Sequence, residues 1–89
     1  MSYLAKNYNR KKISFEYGKG SYLYSTKKKK YLDFVQGIAV NSLGHAHPKL
    51  IGTIKKQSKK LWHVSNAFQI PEGEKLAKSL CKKTFADYV

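Results

Sequence analysis

The sequence predicts an α+β fold in which a three-stranded antiparallel meander is followed by two amphipathic helices. Three observations carry that expectation. Short runs rich in aromatic and β-branched residues lie close together in the first third of the chain. Two later segments with helical periodicity each begin at a proline, Pro48 and Pro71. Composition agrees with folding rather than disorder, since 42% of the 89 residues are apolar and 13% are aromatic.

Ser2 to Asn7 reads as a short helical turn. Ile13, Phe15 and Tyr17 then alternate with Ser14 and Glu16, the period of a half-buried strand. Gly18-Lys19-Gly20 breaks that strand and gives a tight turn its free backbone. Ser21 to Ser25 reads as a second strand, Lys27 to Lys30 as an exposed turn, and Tyr31 to Val35 as a third strand. Links this short favour antiparallel pairing of neighbours. Gln36 to His47 has neither period and is punctuated by Gly37 and Gly44, so it reads as a loop.

Pro48 suits the first position of a helix, where no amide hydrogen is needed. Leu50, Ile51, Ile54, Leu61 and Trp62 fall on one side of that helix, with Lys49, Lys56, Lys59 and Lys60 mostly opposite. His63 to Ile70 reads as a second loop. The helix opened by Pro71 has Glu72 and Glu74 in its first turn and Lys78, Lys82 and Lys83 towards its end, which suits the helix dipole. Leu76, Ala77, Leu80 and Cys81 form its expected buried face, and Phe85 to Val89 look like the approach to a further strand.

Charge sets the function classes to weigh. The chain has 18 basic and 5 acidic residues, a net +13, yet Arg10 is its only arginine. Phosphate and base recognition favours the bidentate arginine fork, and lysine acts as a point charge. A stand-alone lysine-rich module for nucleic acid or anionic membrane is therefore the second reading, and no specific nucleic-acid or membrane partner is expected. Cys81 is the only cysteine, and no apolar run has signal-peptide or membrane-spanning length. A soluble, cytoplasmic protein is the expectation.

Few residues suggest chemistry by spacing alone. His45-Ala46-His47 invites a metal, but the remaining candidates, His63, Cys81 and scattered carboxylates, follow no zinc spacing. Histidines beside Gly44 and Pro48 more simply bond a loop and cap a helix. Gly18-Lys19-Gly20 lacks the spacing of a phosphate loop. Asp33 has no triad partner nearby in sequence, so a structural hydrogen bond is expected of it. Asn66, beside Ser65, suits either a turn or a ligand contact. No catalytic, cofactor-binding or metal-binding residue is assigned within the chain.

From Tyr8 to Val89, however, the chain resembles the opening of class-III aminotransferases, fold-type I pyridoxal-phosphate enzymes. Tyr8-Asn9-Arg10, Gly18-Lys19-Gly20-Ser21-Tyr22-Leu23-Tyr24, Tyr31-Leu32-Asp33-Phe34 and Gly37-Ile38-Ala39-Val40 follow the family's order. Gly44-His45-Ala46-His47-Pro48 matches its Gly-His-x-His-Pro signature, and Leu61-Trp62-His63-Val64-Ser65-Asn66 looks like the acetylornithine branch. The resemblance implies the N-terminal part of a fold-type I enzyme: residues 1–47 from the small domain and 48–89 leading into the large cofactor-binding domain. It implies transfer of an amino group from N-acetylornithine to 2-oxoglutarate in arginine biosynthesis, by a cytoplasmic homodimer. The lysine, phosphate loop and aspartate that hold pyridoxal 5'-phosphate are expected further along the chain, so these 89 residues alone are expected to be inactive. Ile38 and Val40 are implied on the substrate side of the pocket, with Asn66 and Gln69 as further wall. The ornithine enzyme has tyrosine at position 38, so Ile38 speaks against unacetylated ornithine. One departure stands out: Ser25 and Lys28 occupy the places of the family's Asp-x-x-Gly turn.

Overall fold

The structure, a computed structural model, describes residues 2–89. The chain forms two compact units, Met1–Lys55 and Lys56–Val89. Strands β1 (Phe15–Lys19), β2 (Tyr22–Ser25) and β3 (Lys30–Leu32) pair in that order as an antiparallel meander. The predicted meander is therefore present, with its boundaries moved.

β1 runs through Gly18 and Lys19, and the hairpin turns instead at Gly20-Ser21, between the paired residues Lys19 and Tyr22. Gly20 takes φ +56 there, a conformation a two-residue hairpin asks of its first turn residue. A bulge between Phe15 and Tyr17 shifts the register. The aromatic side chains of the strands contact each other: Tyr17 stacks on Tyr24 at 4.5 Å, and Phe15 meets Tyr31 edge-on at 5.6 Å. Such pairs contribute about 0.5–1.5 kcal/mol each beyond the area they bury.

The turn after β2 shows how the chain manages without the expected glycine. Lys28 takes φ +60, the left-handed region that glycine enters freely. The Lys28 amide donates to the Ser25 carbonyl at 2.8 Å, and the Lys29 amide donates to Ser25 Oγ at 3.1 Å. Ser25, buried to 4% exposure, thus closes the turn with its hydroxyl. The Lys28 ammonium meets Glu16 at 2.6 Å.

β3 ends at Leu32, earlier than the alternation suggests: the Asp33 amide still bonds the Ser21 carbonyl, but its side chain accepts the Val35 and Gln36 amides and turns the chain there. Residues 36–47 are not all irregular either. Gln36–Ala39 form a single helical turn, α1, of left-handed sense. Ser2 to Asn7 forms no helix.

Pro48–Gln57 forms α2 and Pro71–Lys83 forms α3. α2 stops short of Leu61 and Trp62, which the apolar spacing had placed on it. Just past its end the Lys60 and Leu61 amides donate to the Gln57 carbonyl, and side chains bond the segment that follows: Gln57 Nε2 donates to the Leu61 carbonyl at 2.9 Å and Trp62 Nε1 to the Ser58 carbonyl at 2.7 Å. α3 keeps its predicted start and its charge order, with Glu72 and Glu74 first and Lys82 and Lys83 last. Its expected buried face is not buried: Ala77 and Cys81 are half-buried, and Leu76 and Leu80 are exposed. Residues 84–89 add no strand. Among the described residues no apolar side chain is buried, and only Ser25 and Asp33 are. No helix among these residues is long and apolar enough to cross a membrane.

Replacing Lys28 with glycine removes a left-handed lysine and loses only an exposed ion pair, a weak interaction in water. Hydrogen exchange at the Lys28 and Lys29 amides should slow about fivefold on that change, as read by NMR. Faster exchange would show that the Glu16 pair outweighs the backbone strain.

Candidate functional site

In the first unit, the loop after β3 is fastened to the hairpin by one carboxylate. Asp33 Oδ1 accepts the Val35 amide at 3.0 Å and the Gln36 amide at 2.9 Å, and Oδ2 lies 2.6 Å from His45 Nε2. The Asp33 amide itself donates to the Ser21 carbonyl at 2.8 Å, which ties the aspartate to the start of β2. Its side chain is 5% exposed and that of His45 19%.

His45 is held as firmly from the other side. Its amide donates to the Gly20 carbonyl at 2.8 Å and its carbonyl accepts the Gly20 amide at 3.0 Å, an isolated antiparallel bridge. Two glycines make room for it. A Cβ on Gly18 would lie 2.5 Å from the His45 ring, and one on Gly44, at φ +79, would lie 2.9 Å from the Gly20 backbone. Both spacings are impossible for a side chain, so the Gly-His pair and the Gly-x-Gly hairpin are two halves of one joint.

The Gln36 amide, then the His45 ring, lower the Asp33 pKa from its ordinary value, against the opposing effect of burial. An ionised carboxylate only accepts, so the shared proton is assigned to His45 Nε2. No serine, threonine or cysteine is bonded to the His45 ring among the described residues, and the pair acts as a structural clasp. The sequence placed Asp33 in a strand and found it no histidine. A separation of 12 residues hid the pair.

The clasp opens directly into α1. Gln36, Gly37, Ile38 and Ala39 take φ values of +51, +64, +66 and +60. Left-handed backbone costs an ordinary residue roughly 1–2 kcal/mol and usually occurs one residue at a time. Here the Val35 carbonyl accepts the Ile38 and Ala39 amides, and the Gln36 carbonyl accepts those of Val40 and Asn41, at 2.9–3.2 Å. The turn projects its apolar side chains outward: Ile38 is 87% and Val40 74% exposed. An apolar pocket of about 510 Å³ lies over Asp33 and His45, lined by Tyr31, Phe34 and Val35 among others, and neither Ile38 nor Val40 lines it.

In the second unit, Asn66 and Gln69 line one open groove of about 400 Å³ with Phe68 and Ile70, ahead of α3. The Ala67 amide donates to Ser65 Oγ and the Phe68 amide to the Ser65 carbonyl, which bends the chain there. The structure thus pairs Ile38 with Val40 on one turn and Asn66 with Gln69 in one groove.

The described residues do not fit a pyridoxal-phosphate site. A phosphate needs converging amides at a helix start or a loop. α3 begins with Pro71, Glu72 and Glu74, whose charge repels an anion. The basic pocket beside the β2–β3 turn has Lys12, Lys27 and Lys29 on its wall, but the Thr26 amide there is already bonded to the Ser14 carbonyl and the Lys28 and Lys29 amides to Ser25. No group of three His, Cys, Asp or Glu side chains gathers for a metal among the described residues. His47 caps α2, its Nδ1 accepting the Lys49 amide at 3.2 Å.

Comparison with known proteins places this arrangement. Residues 3–89 match the family described as aminotransferase class-III. The chain belongs to the class-III aminotransferases. It is 56% identical over 82 residues to acetylornithine aminotransferase 2 of Caulobacter vibrioides, covering 92% of this chain and 20% of that protein. Among solved structures it resembles the N-acetylornithine aminotransferase of Stenotrophomonas maltophilia, with 34% identity and a TM-score of 0.76 over 83% of this chain and 20% of the other. The ornithine delta-aminotransferase of Plasmodium falciparum superposes with a TM-score of 0.89 at 28% identity, over 97% of this chain and 22% of the other. The chain spans about a fifth of the length of the curated relatives it matches. Class-III aminotransferases in general depend on pyridoxal phosphate, and the fold seen here is the opening of theirs.

Two outcomes follow from the clasp. Folding lowers the Asp33 pKa, so its contribution is complete above the unfolded carboxyl value of about 3.9 and is lost as pH falls through the folded value. Protection of the Val35 and Gln36 amides, corrected for intrinsic exchange, should hold down to about pH 4 and fall below it, and Asp33→Asn should abolish that acid step. Gly44→Ala forces a Cβ into the Gly20 backbone and should destabilise the unit by about 2 kcal/mol or more, measured by urea unfolding.

Proposed function

We propose that this chain is the N-terminal part of an enzyme that transfers an amino group from N-acetylornithine to 2-oxoglutarate in arginine biosynthesis. The observation that carries the reading is 56% identity to an acetylornithine aminotransferase along 92% of the chain. Pyridoxal 5'-phosphate is the proposed cofactor, held by residues outside these 89. The enzyme is proposed to be a cytoplasmic homodimer. Residues 1–47 belong to its small domain and 48–89 lead into its large one.

In this reading Ile38 and Val40 border the amino donor and Asn66 and Gln69 form further wall. Support for the first pair comes from their exposed apolar side chains on a strained turn, since strain of that kind gathers at functional sites. A lysine-rich module for nucleic acid has less support from the surface. Lys28 is paired with Glu16, and the Lys29 and Lys30 ammonium groups lie over the Tyr31 and Tyr22 rings.

A chimera tests the proposal. Residues 3–89 replace the matching segment of the Caulobacter vibrioides enzyme, and transamination of N-acetylornithine and of ornithine by 2-oxoglutarate is measured. The chimera should favour N-acetylornithine, and Ile38→Tyr should cut the ratio of the two kcat/KM values by roughly tenfold. A folded chimera that binds cofactor but does not turn over N-acetylornithine would overturn the reading.

A further inference from the structure

We infer that Asp33 is a positioning residue for the amino donor: it holds the left-handed turn that carries Ile38 and thereby sets the enzyme's choice between donors. The inference rests on the proposal that Ile38 borders the substrate. Its own support is geometric.

α1 places three non-glycine residues, Gln36, Ile38 and Ala39, in left-handed backbone beside Gly37. A β-branched residue such as Ile38 at φ +66 is a rare conformation that persists only where its surroundings over-determine it. Packing does not supply that constraint, because Ile38 is 87% exposed and no apolar side chain is buried among the described residues of the unit. Hydrogen bonds do. Within the turn, the Val35 and Gln36 carbonyls accept the amides of residues 38–41. The amides of the same two residues, at the entry, have no such partner, and Asp33 Oδ1 accepts both.

The other carboxylate oxygen transmits the position of the hairpin. Oδ2 meets His45, whose backbone is bridged to Gly20, and the Asp33 amide is tied to Ser21. A rigid path of hydrogen bonds therefore runs from the β1–β2 turn through His45 and Asp33 to the first residue of α1. Displacing Asp33 frees Gln36 to leave its left-handed conformation for the right-handed or extended backbone that ordinary residues prefer. The Ile38 side chain then leaves its place while the sheet, held by its own ladder, stays paired.

This separates Asp33 from an ordinary stabilising residue. Loss of fold lowers activity on both donors together, whereas loss of the turn changes their ratio. In the chimera, Asp33→Ala should lower the N-acetylornithine preference about tenfold, mainly through KM, with kcat altered less than about threefold. Asp33→Asn keeps an oxygen acceptor for the two amides and should fall between the parent and Asp33→Ala. Tyr24→Ala, which breaks the stacked pair in the sheet, serves as a control that lowers stability and leaves the ratio unchanged.

A double-mutant cycle decides whether the effect passes through Ile38. With Ile38→Ala as background, Asp33→Ala should no longer shift the ratio, and additive effects would overturn the inference. So would a parent ratio preserved in Asp33→Ala. Hydrogen exchange of the Val35 and Gln36 amides supplies an arm that needs no catalysis, with Asp33→Asn expected to lose part and Asp33→Ala all of their protection. A parent chimera that does not favour N-acetylornithine would sink the proposed function, and unchanged exchange in Asp33→Ala would independently sink the positioning role.

Discussion

The carboxylate of Asp33 is the constraint on which the first unit depends. It accepts two backbone amides and a histidine ring, while its own amide is bound to the neighbouring strand. In a protein with a large core such a group would be one contact among many. Here no apolar side chain is buried among the described residues, so directional bonds carry the loop geometry that packing would otherwise impose. Hydrogen bonds to a charged group are the stronger kind, and removing one partner leaves buried donors unsatisfied. The glycines at 18 and 44 serve the same joint by leaving space for the imidazole and for a close backbone approach.

The outward-facing apolar residues are the other half of the picture. Phe34, Val35, Ile38 and Val40 stand exposed around the left-handed turn, and Trp62 and Phe68 do so in the second unit. Contiguous apolar surface of this kind marks contact with other protein or with a ligand. The relatives are about five times as long as the matched segment, and in them the segment is an opening rather than a whole. Among the lysines behind the net charge of +13, Lys28 meets Glu16, and the Lys29 and Lys30 ammonium groups lie over the Tyr31 and Tyr22 rings.

Legibility in the sequence followed the range of each interaction. The meander was legible because strand alternation and turn residues act within a few positions, and both proline-led helices were legible for the same reason. Boundaries failed where a side chain competed with the ladder or the helix. The Asp33 side chain turned the chain after β3 by accepting the Val35 and Gln36 amides, and the Gln57 and Trp62 side chains bonded the Leu61 and Ser58 carbonyls in the segment after α2. The apolar spacing of Leu61 and Trp62 suited a helix, yet spacing cannot say whether a competing local bond will form. The Ser2–Asn7 turn failed differently, since nothing packs on it and a helical turn this short is not stable alone.

By itself the sequence determined the strand order, the two helix starts, the two glycines that the joint requires and, through ordered motifs, the family. These follow from local stereochemistry and from residue identity, which no distant contact can change. Only the tertiary structure decided that Asp33 meets His45, that Gly18 lies beneath the imidazole and that Gln36 to Ala39 wind to the left. The reason is physical: a left-handed turn of ordinary residues is unfavourable in isolation. It persists here because the carboxylate that accepts its entry amides is itself held by groups from other parts of the chain, the Ser21 carbonyl and the His45 ring 12 residues on.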